Sequence, residues 1–210
     1  MKLKTLLVLS TSMVMTSTAL AATWEKPIPQ TVQLTTVADA SEGEGQYLYN
    51  VDYAGFFLGA NDWGTRASVG NTGIAVKFVK KGDDKYGILN TGNGDLVSPD
   101  AVDGIWVDGN RANSDGWTIT PTSGNNFTLA VPALSEKGTL GILSTSTETK
   151  LNLIDEVPEG AMNYNNWAMV EEADYQAWKE ENDVYVVAMN LDKAIKDAKA
   201  KYPSIDLTSE

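Results

Sequence analysis

Two short clusters hold most of the residues able to recognise a ligand. Phe56 to Gly73 reads FFLGANDWGTRASVGNTG, and Gly104 to Trp117 reads GIWVDGNRANSDGW. In the first, Trp63 offers a ring face beside the hydrogen-bonding groups of Asn61, Asp62 and Arg66. In the second, Trp106 stands near Asp108, Asn110 and Arg111. An aromatic face flanked by such groups suits a carbohydrate, whose pyranose ring has apolar faces and a rim of hydroxyls. If Ile105 and Val107 face the core, strand alternation turns Trp106 outward.

Each cluster also has a plainer reading, and tryptophan's usual burial gives it the stronger prior. In the first, Gly59, Gly64 and Gly70 form turns and Trp63 plugs the open end of a barrel. In the second, DG and SDG make a hairpin turn whose tryptophan is covered by a C-terminal helix. The acids Asp100, Asp103, Asp108 and Asp115, with Asn110, invite a calcium reading. They lack the EF-hand order, because Ala112 falls on a ligand position and the bidentate glutamate is missing. No metal site is assigned.

The chain has no histidine and no cysteine. A Ser-His-Asp triad, a Cys-His dyad and a His-ligated zinc site are therefore excluded within it. A paired-carboxylate glycosidase is the mainstream enzyme class left open. The candidate acids Glu25, Asp52, Asp62, Asp103, Glu136 and Asp155 sit in turn-like segments, and none is paired in an apolar run that would raise its pKa. No catalytic residue and no cofactor is assigned, and the chain is expected not to be an enzyme.

The elements that must position these clusters follow from the rest of the text. Residues 1–21, MKLKTLLVLSTSMVMTSTALA, have Lys2 and Lys4, an apolar middle and a small-residue exit, the pattern of a secretory signal peptide. The apolar run is too short for a membrane span, and without cysteine there is no lipoprotein anchor. The expected location is therefore secreted, in the periplasm or at the cell surface. Removing the leader leaves 14 basic against 28 acidic residues, a formal charge of −14. Such a surface disfavours nucleic acid and anionic membranes. Without disulfides the core must hold by burial alone, for which about 190 residues suffice.

Residues 22–45, bounded by WEKPIP and DASEGEG, read as a linker with one strand in QTVQLTTV. From 46 to 170 short alternating runs separated by Gly, Asn and Asp predict an all-β domain. GIAVKFVK puts Ile74, Val76 and Phe78 on one face, GWTITP pairs Trp117 with Ile119, and NFTLAV aligns Phe127, Leu129 and Val131. The opening aromatics Tyr47, Tyr86 and Phe127 are 39 and 41 residues apart, and the closing aromatics Phe78, Trp117 and Trp167 are 39 and 50 apart. Three degenerate units of about four strands each describe a β-trefoil; a sandwich with coincidental spacing is the alternative. Residues 171–210 predict a short helical tail in two pieces, EEADYQAWKEEN and a second helix capped by Asn190 and stopped by Pro203. VYVVAM between them fits strand or helix.

The opening YLYNVDYAGFFLGANDWGTRASVGNTGIAVKF and the closing NYNNWAMVEEADYQAW resemble ricin-like β-trefoil domains of modular secreted and surface proteins of anaerobic gut bacteria. The resemblance spans about Gln46 to Trp178. It implies a trefoil fold and an accessory, non-catalytic role. Sugar-binding trefoils carry a Gln-x-Trp motif, where this chain reads SDGW and YNNW, so no sugar-binding residue is implied by the resemblance. The expected function is an exported binding module for a glycan. The rival is a structural or protein-interaction module that docks a partner through the C-terminal helices.

Overall fold

In GIAVKFVK, alternation gives a strand one buried and one solvated face. Val76 and Phe78 are fully buried there, and Ile74 packs on the same core. The same holds for Trp117 with Ile119 and for Phe127, Leu129 and Val131. The structure is a computed structural model that describes residues 24–33, 45–61, 64–100, 104–107 and 116–203.

The strands are β1 (Gln46–Asn50), β2 (Phe57–Ala60), β3 (Ala67–Gly70), β4 (Ala75–Gly82), β5 (Lys85–Asn90), β6 (Ser98–Asp100) and β7 (Gly104–Trp106). They continue with β8 (Thr118–Pro121), β9 (Phe127–Ala130), β10 (Thr139–Ser144), β11 (Thr149–Ile154), β12 (Met162–Tyr164) and β13 (Trp167–Val170). One helix, α1 (Glu172–Lys201), follows. Among the described residues the protein is thus mostly β, with one α-helix following the last strand and a 3-10 helix at Pro132–Lys137.

The pairings run almost full circle. β1 pairs β4, β4 pairs β5, β8 pairs β9, β9 pairs β13 and β13 returns to β1. β5 and β8 meet through the Tyr86–Trp117 bridge, whose two amides donate to the opposite carbonyls at 2.9 and 2.7 Å. The result is a nearly closed, barrel-like sheet. Three antiparallel hairpin pairs lie outside this circuit: β2 with β3, β6 with β7, and β10 with β11. Their second strands, β3, β7 and β11, pack against one another.

The interior is filled by Leu48, Ile88 and Leu129 from β1, β5 and β9, and by Phe78, Trp117 and Trp167 from the closing segments. A buried indole must find an acceptor for its N–H. Trp117 Nε1 donates to the Val97 carbonyl and Trp167 Nε1 to the Leu140 carbonyl, each at 2.9 Å. At the third such position Phe78 has no donor, and the Leu58 carbonyl receives the Ile74 amide instead, at 2.9 Å.

The chain divides into two units, Lys26–Val186 and a second comprising Met1–Glu25 with Val187–Glu210. In the first, residues 26–33 run against the strands. Lys26 Nζ donates to the Ala54 carbonyl at 2.6 Å, and Val32 makes a single bridge with Met169. The strand expected in QTVQLTTV is reduced to that bridge as far as residue 33, and the remainder lies outside the described residues. The first half of α1 docks on the same unit through aromatic rings. Tyr175 stacks on Tyr47 at 3.8 Å, Trp178 lies 4.8 Å from Phe57, and the Trp178 indole donates to the Pro27 carbonyl at 3.0 Å. Glu172 Oε2 accepts from the Tyr47 hydroxyl at 2.7 Å, and the Tyr175 hydroxyl accepts from the Gly73 amide at 2.9 Å.

α1 is one helix, not two, and corrects the expected break. Asn190 does not cap a second helix but lies inside the first, and VYVVAM is helical. No Gly or Pro interrupts residues 172–202, and an interior Asn or Val costs only a few tenths of a kcal/mol. Pro203 disfavours the α conformation in the residue before it, and the helix ends at Lys201. Glu172 and Asp174 at its start and Lys199 and Lys201 at its end match the helix dipole. Among the described residues no helix is long and apolar enough to cross a membrane.

Trp167→Phe removes a filled volume and leaves the Leu140 carbonyl unpaired, and is expected to cost about 2–4 kcal/mol, read as a lowered urea midpoint. Burial, the hydrogen bond to Glu172 and its negative charge raise the Tyr47 phenol far above its usual value of 10.0, and burial also raises Tyr49. The unfolded chain therefore loses these protons first, so stability is complete below pH 10 and falls as pH rises beyond it. Alkaline titration of tyrosinate absorbance should show late-ionising groups, and Tyr47→Phe should remove one and flatten the loss of stability.

Candidate functional site

The first cluster is built on the β2–β3 hairpin, which closes with Ala60 opposite Ala67. The Asn61 amide donates to the Arg66 carbonyl at 2.9 Å, and the Gly64 amide to the Asn61 carbonyl at 2.8 Å. Asn61 Oδ1 accepts from the amides of Thr65 and Arg66, each at 3.2 Å. Asparagine folds such turns because its short side chain reaches the backbone a few residues on. Asn61 Oδ1 is thus engaged in shaping the loop. Arg66 is exposed at the entry to β3. Asp62 and Trp63 lie outside the described residues.

Gly59, Gly64 and Gly70 differ in role, and only Gly64 is a turn former. Gly64, with φ +69°, serves the turn as expected. Gly59 is not a turn former: it is a β2 residue where the Thr72 carbonyl comes so close that an added Cβ would lie 2.6 Å away. Gly70 likewise ends strand β3 rather than forming a turn.

The second cluster begins on β7. Ile105 and Val107 are buried, as the alternation required. Trp106 sits between them in the strand, opposite Ser98 in the register. Its side chain, like all of Asp108, Asn110 and Arg111, lies outside the described residues.

The structure brings together the two ends of these clusters that it describes. The Val107 amide donates to the Thr65 carbonyl at 2.9 Å, although 42 residues separate them in the chain. Asn93 Nδ2 donates to the Val107 carbonyl at 3.0 Å, while Asn93 Oδ1 holds its own turn through the Asp95 amide at 3.0 Å. Three loops therefore meet where β3 packs against β7. Neither Thr65 nor Asn93 stands out in the sequence. The TGNGD run marks Asn93 only as a turn residue, and the Thr65 contribution is a backbone carbonyl, which residue type does not reveal.

The tryptophans at the lectin-motif positions have other work. Trp117 and Trp167 are buried and bonded to core carbonyls, and neither offers a face to a ligand. Several carboxylates join segments: Asp52 accepts from Asn166 at 2.8 Å, and Glu172 accepts from Tyr47 and from Gln176. Among the described residues no group of three or more acidic side chains gathers as a metal set. The calcium reading falls mainly on 101–103 and 108–115, outside the described residues. No protein-family model matches the chain, and no curated protein matches it.

Asn61→Ala removes two acceptor bonds from the turn and should loosen it by about 1–2 kcal/mol. Hydrogen exchange is expected to quicken at Thr65, Arg66 and, through its bond to Thr65, Val107. Amides between β4 and β5 should be unchanged.

Proposed function

We propose that this chain is an exported, non-catalytic binding module with a β-trefoil body, and that it takes a carbohydrate where the Asn61–Arg66 turn meets the end of β7. The trefoil reading draws support from a threefold recurrence of parts. β1, β5 and β9 each open a unit, each is followed by a hairpin, and β4, β8 and β13 close the units. The packing of β3, β7 and β11 against one another is what a hairpin cap on a threefold axis requires. Asn50 and Asn90 each end a strand and hold the turn after it, accepting from the Tyr53 and Gly92 amides at 2.9 and 3.0 Å. Export rests on the signal-peptide pattern of residues 1–21.

The observation that carries the site is the Val107 to Thr65 hydrogen bond. That bond joins the described ends of two segments whose sequences each hold a tryptophan, an aspartate, an asparagine and an arginine, the residue types that stack on and bond to sugar rings. The acidic balance of the chain favours neutral ligands over phosphorylated ones. A second reading, a protein-interaction module, is favoured by the exposed apolar side chains along α1.

A glycan array probed with the mature chain tests the first reading. Binding to at least one glycan class is expected, with Trp63→Ala, Trp106→Ala and Arg66→Ala each weakening it about tenfold or more, and with far-ultraviolet circular dichroism unchanged. Absence of any bound glycan, or undiminished binding by all three variants, removes the proposed site.

A further inference from the structure

We infer that residues 26–33 are a latch for α1: this segment and the first half of the helix, up to Val186, open and close as one unit, joined through the indole of Trp178. The inference stands apart from the carbohydrate reading, because it uses none of the same residues. Pro27 and Pro29 keep the segment extended, since each ring fixes its own φ and turns the residue before it away from the helical region. No ladder runs along it, and separate clasps seat it instead. At one end the Val32 amide donates to the Met169 carbonyl at 2.9 Å, in a single bridge. Next to it, Asn125 Nδ2 donates to the Thr31 carbonyl at 3.0 Å and to the Thr31 hydroxyl oxygen at 3.2 Å. At the other end Lys26 Nζ, bonded to the Ala54 carbonyl, lies 5.5 Å from the centre of the Phe56 ring. Between the clasps Pro29 is buried, while Ile28 and Gln30 on either side of it are exposed.

This seating sets the Pro27 carbonyl against the helix. Trp178 Nε1 donates to it at 3.0 Å, and the rest of that buried indole lies against Phe57 and Tyr175, at 4.8 and 6.1 Å between ring centres. A buried N–H that loses its acceptor costs more than the bond contributed when made, so release of Pro27 weakens the docking of Trp178. Withdrawal of the helix in turn removes the donor that holds the segment between its end clasps. Coupled equilibria are reciprocal, so each stabilises the other by the same factor. Both belong to the low-stability end of the fold, because the segment has few backbone bonds and the helix buries only Tyr175, Trp178 and Asn182. Opening uncovers the ring cluster of Tyr47, Phe57, Tyr175 and Trp178. Whatever lifts residues 26–33 from their seat therefore frees the helix and presents an aromatic face.

Hydrogen exchange of single amides, followed by NMR on the mature chain, tests the latch. Asn125→Ala, which releases Thr31, should quicken exchange about tenfold at Val32 and by a similar factor at Trp178 to Asn182. Tyr175→Phe, which takes the acceptor from the Gly73 amide, should quicken the α1 amides and carry over to Val32. In a Trp178→Phe background the two parts should separate, with Asn125→Ala then acting on Val32 alone. Amides between β4 and β5 should keep their rates in every variant, which separates opening of the latch from loss of the fold. The inference is overturned if Asn125→Ala leaves Val32 unmoved, or moves Val32 without the α1 amides. It is equally overturned if the carry-over survives undiminished in Trp178→Phe, or if the β4 and β5 amides quicken by the same factor.

Discussion

The structure depends first on the ladder between β1 and β13. Tyr47 lies opposite Val170 and Asn50 opposite Trp167, so the first and last strands of the β region become neighbours. Closing so long a stretch of chain carries a large entropy cost, but that cost grows only slowly with length, and the pairing repays it with a buried ladder. It also removes two exposed sheet edges. The same ladder aims the helix. α1 begins two residues after Val170, so Glu172 and Tyr175 arrive beside Tyr47, the residue that pairs with Val170.

Once the sheet is nearly closed, its polar interior must be settled. The indoles of Trp117 and Trp167 and the amides of Asn50 and Asn90 find partners because hairpin carbonyls and turn amides reach the same depth. The carboxamide oxygen of Asn163 is the unpaired buried side-chain atom among the described residues. It lies beside Gly141, where an added Cβ would press directly on it. A close approach, rather than a turn, accounts for both glycines: by the Asn163 side chain at Gly141 and by the Thr72 carbonyl at Gly59.

Much of the β region was legible because apolar alternation is local and its consequence is local. Val76 and Phe78, or Phe127 and Leu129, declare their buried face within five residues. The helix was less legible. Asn190 and the valine-rich VYVVAM carry weak preferences against a helix, and continuity from the docked first half outweighed them. The candidate site was legible only as residue types. Asn61 and Arg66 are candidates there by residue type alone, while the turn formed by Asn61 and the carbonyl of Thr65 depend on backbone geometry that residue identity leaves open.

By itself the sequence determined what chemistry is absent, since no histidine or cysteine is present to act, and which side chains belong inside. It determined the acidic balance and the segments of alternation, because these are properties of residues and their immediate neighbours. Only the tertiary structure decided that Thr65 and Val107 meet, which carbonyls the Trp117 and Trp167 indoles find, and that α1 runs unbroken. Those outcomes rest on contacts between distant segments, from 20 residues apart for Trp117 and Val97 to 151 for Trp178 and Pro27, where the winner is set by the combined packing of many side chains and not by any one of them.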